Sequence, residues 1–216
     1  MSASASTGLH AGCHIVLTGA GCSGKTSTIA AVADLLRAQG YRVLIMPEAA
    51  TELMTQLGIS FGDLDPVAYQ EVQTELAARQ RDSRWHAARL CRSGVVDVVL
   101  YDRAELDAYP YTEPGTLEAV LATQNETVTD AIEGYDAVFY LHAAPADAGA
   151  YETESNPVRY ESEELARQRG EALRVAWSVH PRFCEVSYRE SIDGKIGFVT
   201  HSVTHLLANR PAPVGP

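Results

Sequence analysis

His14-Ile15-Val16-Leu17-Thr18-Gly19-Ala20-Gly21-Cys22-Ser23-Gly24-Lys25-Thr26 is the stretch that decides the fold. An apolar run of strand character, Ile15 to Leu17, enters a glycine-rich turn. The turn opens directly into an Ala/Leu-rich helical segment over Lys25 to Gln39. The string reads G-x-x-x-x-G-K-T, in the strand–turn–helix context that a phosphate-binding loop requires. Gly19, Gly21 and Gly24 let the backbone take dihedrals that a Cβ forbids, so that successive N–H groups point into one concavity. The following helix adds its unsatisfied N–H groups and the positive end of its dipole. The nucleotide-binding set is therefore Gly19, Ala20, Gly21, Cys22, Ser23, Gly24, Lys25, Thr26 and Ser27. Within it Lys25 supplies a mobile charge for the β- and γ-phosphates, and the Thr26 hydroxyl is placed to ligate Mg²⁺.

Bulk properties bound the rest. The 216 residues suit one well-packed domain. Residues 1–12 read as a disordered lead-in, 13–208 as a single domain and 209–216 as a disordered tail. A net charge of -11 argues against a nucleic-acid or anionic-membrane surface as the general partner, so phosphate binding is a local positive site in an acidic chain. The four cysteines (Cys13, Cys22, Cys91, Cys184) form no C-x-x-C pair and have no His at zinc spacing, a pattern of reduced thiols in a cytoplasmic protein. No apolar run approaches the ~18 residues of a membrane span. Residues 1–12 also lack the basic and apolar regions of a secretory signal.

Downstream, Gly40 stops the first helix, and Tyr41 to Glu48 read as a second strand ended at Pro47. Strand, helix and strand within about 35 residues make a βαβ unit and a parallel sheet. Glu48 leaves the carboxyl end of its strand, the edge where such sheets bind ligands. It either accepts a proton from a substrate hydroxyl or caps the helix beginning at Ala49. A loop over Gly58 to Pro66 precedes a long helix, Val67 to Arg92, whose first turns carry Tyr69, Gln70 and Gln73 as pocket candidates beside a core-and-surface reading. A third strand over Val95 to Tyr101 delivers Asp102 and Arg103 to the same edge as the loop, where an Asp holds Mg²⁺ and an Arg meets phosphoryl charge.

The loop Asp107 to Pro114 offers Tyr109 and Tyr111 as specificity residues. One helix is expected over Thr116 to Ile132, a fourth strand over Asp136 to His142 and a polar loop over Ala143 to Asn156. A helix over Glu161 to His180 then turns Leu165, Ala172, Leu173 and Ala176 to one face and Arg167 and Arg174 to the other. Arg159, Arg167, Arg169 and Arg174 form a local basic cluster. It is either a lid bringing Arg159 or Arg167 to the γ-phosphate or a solvated helix balanced by its glutamates. A fifth strand over Arg182 to Ser187 and a helix over Ile196 to Leu207 complete the chain.

Five strands alternating with helices, the loop first and Asp-Arg after the third strand, resemble a P-loop kinase domain. The residues Ile15–Gly19, Gly24-Lys25-Thr26, Pro47-Glu48-Ala49-Ala50, Tyr69-Gln70 and Tyr101-Asp102-Arg103 resemble the AAA_28, or nicotinamide-riboside-kinase-like, group. Asn156–Ser162 and Ala176–Pro181 resemble the branch that includes the fly protein needed for TRP-like channel translocation. The resemblance implies a three-layer αβα sandwich on a parallel five-stranded sheet of order 2-3-1-4-5, with a helical lid. It also implies Mg²⁺ with ATP or GTP, and an active-site edge formed by Glu48 and Asp102.

Two functions follow as expectations. In the first, a kinase moves the γ-phosphate to a hydroxyl of a small, nucleoside-like acceptor. Lys25, Glu48, Asp102, Arg103, Arg159 and Arg167 would be its catalytic set, Thr26 and Asp102 its metal ligands, and Glu48, Tyr69, Gln73 and Tyr109 would face the substrate. In the second, a nucleotide-dependent switch or NTPase acts through a protein or phosphoinositide partner. The N-K-x-D string of Ras-like guanine recognition is absent from the sequence, which counts against a conventional GTPase.

Overall fold

The computed structural model describes residues 12–21, 23–143, 163–187 and 191–209. Five strands form the sheet: β1 (Cys13–Thr18), β2 (Val43–Met46), β3 (Val98–Asp102), β4 (Ala137–Leu141) and β5 (Phe183–Val186). All pairings are parallel and the order is β2-β3-β1-β4-β5, as expected. Every residue of β1, β3 and β4 is buried, which explains why these segments are continuous apolar runs instead of alternating ones. The edge strand β2 is only half-buried along its length.

The helices are α1 (Lys25–Ala38), α2 (Ala49–Leu57), α3 (Pro66–Arg92), α4 (Thr116–Ala122), α5 (Val128–Glu133), α6 (Glu163–Trp177) and α7 (Ile192–Ala208). Alternate strand residues enter two cores. Ile15, Leu17, Val98, Leu100 and Phe139 pack under α1 and α7 with Ile29, Leu36, Val199 and Val203. Val16, Val99, Tyr101 and Val138 pack on the opposite face with Ala77, Leu117, Ala131 and Trp177, from α3, α4, α5 and α6. Three layers result, and each buried aliphatic side chain contributes about 1.5–3 kcal/mol. α3 starts at Pro66 because Asp65 accepts hydrogen bonds from the Val67 and Ala68 N–H groups, each 2.9 Å long, with proline at the first helical position.

Three expected elements differ. The single helix over Thr116 to Ile132 is two helices, separated at Asn125, whose φ is 58°. The break turns Glu126 inward, where it accepts from Arg84 (2.7 Å) and from the indole of Trp85 (3.0 Å), and Thr127 then caps α5. The last helix begins earlier than expected, at Ile192, because the Ser191 hydroxyl accepts from Gly194 N–H at 3.0 Å. On α6 the buried residues are Gly170, Leu173 and Trp177, whereas Leu165 is 36% exposed and Ala172 faces solvent. Of the expected face of Leu165, Ala172, Leu173 and Ala176, only Leu173 is fully buried. The indole, which packs against Tyr135, anchors this helix instead.

Candidate active site

The charged residues converge at the carboxyl edge of the adjacent strands β2, β3 and β1. The β1–β3 register pairs Leu17 with Asp102, so the acidic residue stands beside the point where β1 becomes the loop. Gly19 leaves the strand at φ 135°, and a Cβ there would lie 2.3 Å from the Leu141 carbonyl oxygen. Only glycine passes the end of β4 that closely. Gly24 (φ 83°) occupies the N-cap of α1, where no side chain caps the helix and no acid sits in the first turn. The α1 N–H groups therefore face an incoming anion without a resident competitor. Cys22, which belongs to the expected loop set, lies outside the described residues, as do residues 144–162 with Arg159.

Lys25 is 7% exposed and folds back on the loop, donating to the carbonyl oxygens of Gly19 (3.0 Å) and Ala20 (2.9 Å) and to Ser23 Oγ (3.4 Å). Burial, with the nearby Arg103 charge, lowers its ammonium from 10.5 to about 8 against the opposing pull of Asp102, Glu48 and Asp107. Thr26 Oγ1 donates to Asp102 Oδ2 at 2.8 Å, which brings the two expected metal ligands together. Asp102 is 5% exposed, and its Oδ1 is buried with no hydrogen-bond partner. Burial raises its carboxyl, helped by Glu48 and opposed by Lys25, the Thr26 hydrogen bond and Arg103. A hydroxyl and an orphaned carboxylate oxygen form a hard donor set that fits Mg²⁺ or its water shell.

Arg103 occupies the left-handed region at φ 74°, unusual for a side-chain-bearing residue and costing about 1–3 kcal/mol. Three contacts hold it: its N–H donates to Leu17 O (3.1 Å), Nε to Glu48 Oε1 (2.6 Å), and Nη1 lies 3.4 Å from Asp107 Oδ1. Burial raises the Glu48 carboxyl, but the Arg103 and Lys25 charges outweigh it and leave Glu48 at about 2. Glu48 is thus a carboxylate at neutral pH. As N-cap residue of α2 it makes no side-chain bond to backbone, and its Oε2 accepts from the Thr51 hydroxyl in the first turn at 2.7 Å.

Asp107 was missed by sequence reasoning, which placed it in an irregular Tyr/Pro loop. It lies in a buried 3-10 turn, Glu105–Ala108, and connects four elements. Thr18 Oγ1 donates to Oδ1; the Ala104 N–H (2.9 Å) and the Trp177 indole N–H (3.2 Å) donate to Oδ2. The strand before the loop, Arg103 and α6 share this one carboxylate. Buried polar residues with no local pattern leave no sequence signal, so only its proximity to Asp102-Arg103 pointed toward it.

On the far side of this edge Tyr69 contacts Phe61 edge-on (5.9 Å) and accepts from Arg169 Nη2 (3.3 Å), and the Arg169 guanidinium lies 4.6 Å from the Tyr111 ring centre. Gln70 binds the loop at Tyr111 O (3.4 Å) and Glu113 N–H (3.2 Å). Gln73 is buried on the inner side of α3. Tyr109 does not join this group: its hydroxyl donates to Glu118 (2.9 Å), and burial plus that carboxylate push it to about 12. Arg167 is likewise placed elsewhere, exposed and held by Glu164 one turn back at 2.8 Å and 3.0 Å. Of the described α6 arginines, Arg169 is the one that reaches Tyr69 and Tyr111. No helix among the described residues is long and apolar enough to cross a membrane.

A family model described as an AAA domain, AAA_28, matches residues 14–192, from β1 to the first residue of α7. No curated protein matches the chain. The chain belongs to this AAA domain family of P-loop proteins, whose members bind nucleotide through the loop described above.

Proposed function

We propose that this AAA domain protein is a Mg²⁺-dependent kinase that transfers the γ-phosphate of ATP or GTP to a hydroxyl of a small molecule. The observation that carries the reading is the Glu48–Arg103 pair. A carboxylate and a guanidinium 2.6 Å apart stand at the sheet edge near Lys25 and Asp102, with Tyr111 close to Arg103. Lys25 and the loop amides bind and orient the triphosphate, while Thr26 and Asp102 hold Mg²⁺. That ion supplies charge neutralisation of the phosphates. Glu48 accepts the hydrogen bond of the acceptor hydroxyl and aligns its oxygen. Because the transition state of phosphoryl transfer is loose, alignment matters more than base strength, and a carboxylate near 2 suffices. Arg103, held by Glu48 and Asp107, meets the charge on the transferred group.

A second reading, a nucleotide-driven switch acting through a protein or phosphoinositide partner, draws on Asp107. This carboxylate joins Thr18, Arg103 and Trp177, so a change at the phosphates has a route to α6. The two readings part in one experiment. Purified protein with Mg²⁺ and ATP or GTP is followed for diphosphate release, with and without a panel of nucleosides and small alcohols, with Lys25→Ala as the blank. Acceptor-dependent turnover that disappears in the blank is expected. Nucleotide binding with no acceptor-stimulated turnover replaces the kinase by the switch.

A further inference from the structure

Lys195 sits in the first turn of α7, 172 residues from the phosphate loop in sequence, yet its ammonium donates to Ser23 O at 2.9 Å. It also donates to His142 O, just past the end of β4, at 3.1 Å. The side chain is 6% exposed. Among the described residues no carboxylate is paired with it, and burial alone draws its ammonium below the ordinary value. A buried cation met only by carbonyl dipoles is costly for a folded protein that never receives an anion. The cost is offset when an anion arrives close by, and the neighbour of Lys195 is the phosphate cradle.

Its contact has a directional consequence. The Ser23–Gly24 peptide is trans, as are all the described peptide bonds, and a trans peptide holds its C=O and N–H antiparallel. With Ser23 O fixed on Lys195, the Gly24 N–H is fixed in the opposite direction, away from α7. Ile192, from the same turn of α7, reaches within 3.1 Å of where a Gly24 Cβ would stand, so α7 supports the loop at two successive residues.

We propose that Lys195 is a positioning residue of the phosphate site, locking the Ser23–Gly24 peptide for phosphate binding and adding a buried positive charge behind it. The inference rests on the loop being a nucleotide site but not on which reaction follows. The test compares wild type with Lys195→Met, Lys195→Gln and Lys195→Arg by calorimetric titration of inorganic tripolyphosphate and of ATP and GTP. Thermal melts without ligand accompany the titrations.

The neutral variants are expected to melt near wild type. They should lose affinity for tripolyphosphate by at least about tenfold, the scale of a charge-assisted hydrogen bond. The nucleotides should weaken by a similar factor, because the loss lies on the phosphates, and Lys195→Arg should recover most of it. Unchanged tripolyphosphate affinity in whichever neutral variant folds overturns the proposal. So does a collapse of the ligand-free melt in both neutral variants that Lys195→Arg shares, since that marks a purely structural residue. Wild type binding neither tripolyphosphate nor nucleotide would instead remove the nucleotide site itself.

Discussion

Replacing Lys25 by methionine should make the nucleotide-free protein more stable while abolishing ligand binding. The lysine ammonium moves from 10.5 in the unfolded chain to about 8 in the folded one. At about 1.36 kcal/mol per pH unit, the fold therefore disfavours the charged form by about 3 kcal/mol at neutral pH. Methionine keeps the stem and removes the charge. It also strands the Gly19 and Ala20 carbonyls, which returns about 1–2 kcal/mol. The net gain is about 1–2 kcal/mol, or roughly 2–8 °C in Tm for a chain of this size.

The pH dependence carries the sharper signature. Below about 8 both states hold the proton and the penalty is complete; between about 8 and 10.5 the unfolded chain binds more proton than the folded one, so wild-type stability rises through this window. The advantage of the methionine variant should therefore shrink as pH climbs, vanish before 10.5 once the remaining penalty equals the loss at the two carbonyls, and reverse by 10.5. Thermal melts of both proteins from pH 7 upward, with and without Mg²⁺ and nucleotide, measure each quantity. A variant that melts at or below wild type at pH 7 without ligand, or an offset that ignores pH, refutes the reasoning. Added nucleotide should raise the wild-type melt alone.

Two substitutions probe the neighbouring contacts. Asp102→Asn removes the charge but not the volume beside Thr26, and nucleotide affinity in Mg²⁺ should fall by about 10–100-fold, approaching the value titrated in EDTA. An affinity that still responds to Mg²⁺ as wild type does would take Asp102 out of the metal site. Gly19→Ala forces a Cβ to 2.3 Å from Leu141 O at φ 135°, and the urea midpoint should report a loss of about 2–4 kcal/mol. A midpoint equal to wild type would mean the loop and β4 are not packed at this distance.

The sequence made the sheet legible because parallel strands buried on both faces have to be unbroken apolar runs. Ile15–Leu17, Val98–Leu100 and Ala137–Leu141 could be little else. Asp102 and Glu48 were legible because each directly follows, or closely follows, such a run, and the carboxyl edge of a parallel sheet is one place. What could not be read was set by contacts between distant elements. The break at Asn125 exists so that Glu126 can reach Arg84 and Trp85 on another helix. That Arg169 and not Arg167 meets Tyr69 depends on how α6 is rolled by Trp177, which lies outside the expected apolar face. Lys195 carries no motif, and its meaning lies in two carbonyl oxygens of other segments.

The sheet order also sets a sequence of events during synthesis. β1 is made before the strands it pairs with, yet it lies at the centre of the sheet between β3 and β4. Its His14 N–H meets a carboxylate 122 residues later, and the last strut on its loop arrives 172 residues after Ser23. At ribosomal speeds of about 5–20 residues per second, that interval is roughly ten to thirty seconds. Until β3 and then β4 emerge, the strand Ile15–Leu17 has no partner to hide its edges, and until α7 follows them the phosphate loop lacks the support of Lys195. The phosphate loop is thus translated before β3, β4 and α7, the elements that frame it, and takes shape only after them. A chain stalled before α7 would carry the full motif and still lack the lysine that braces it.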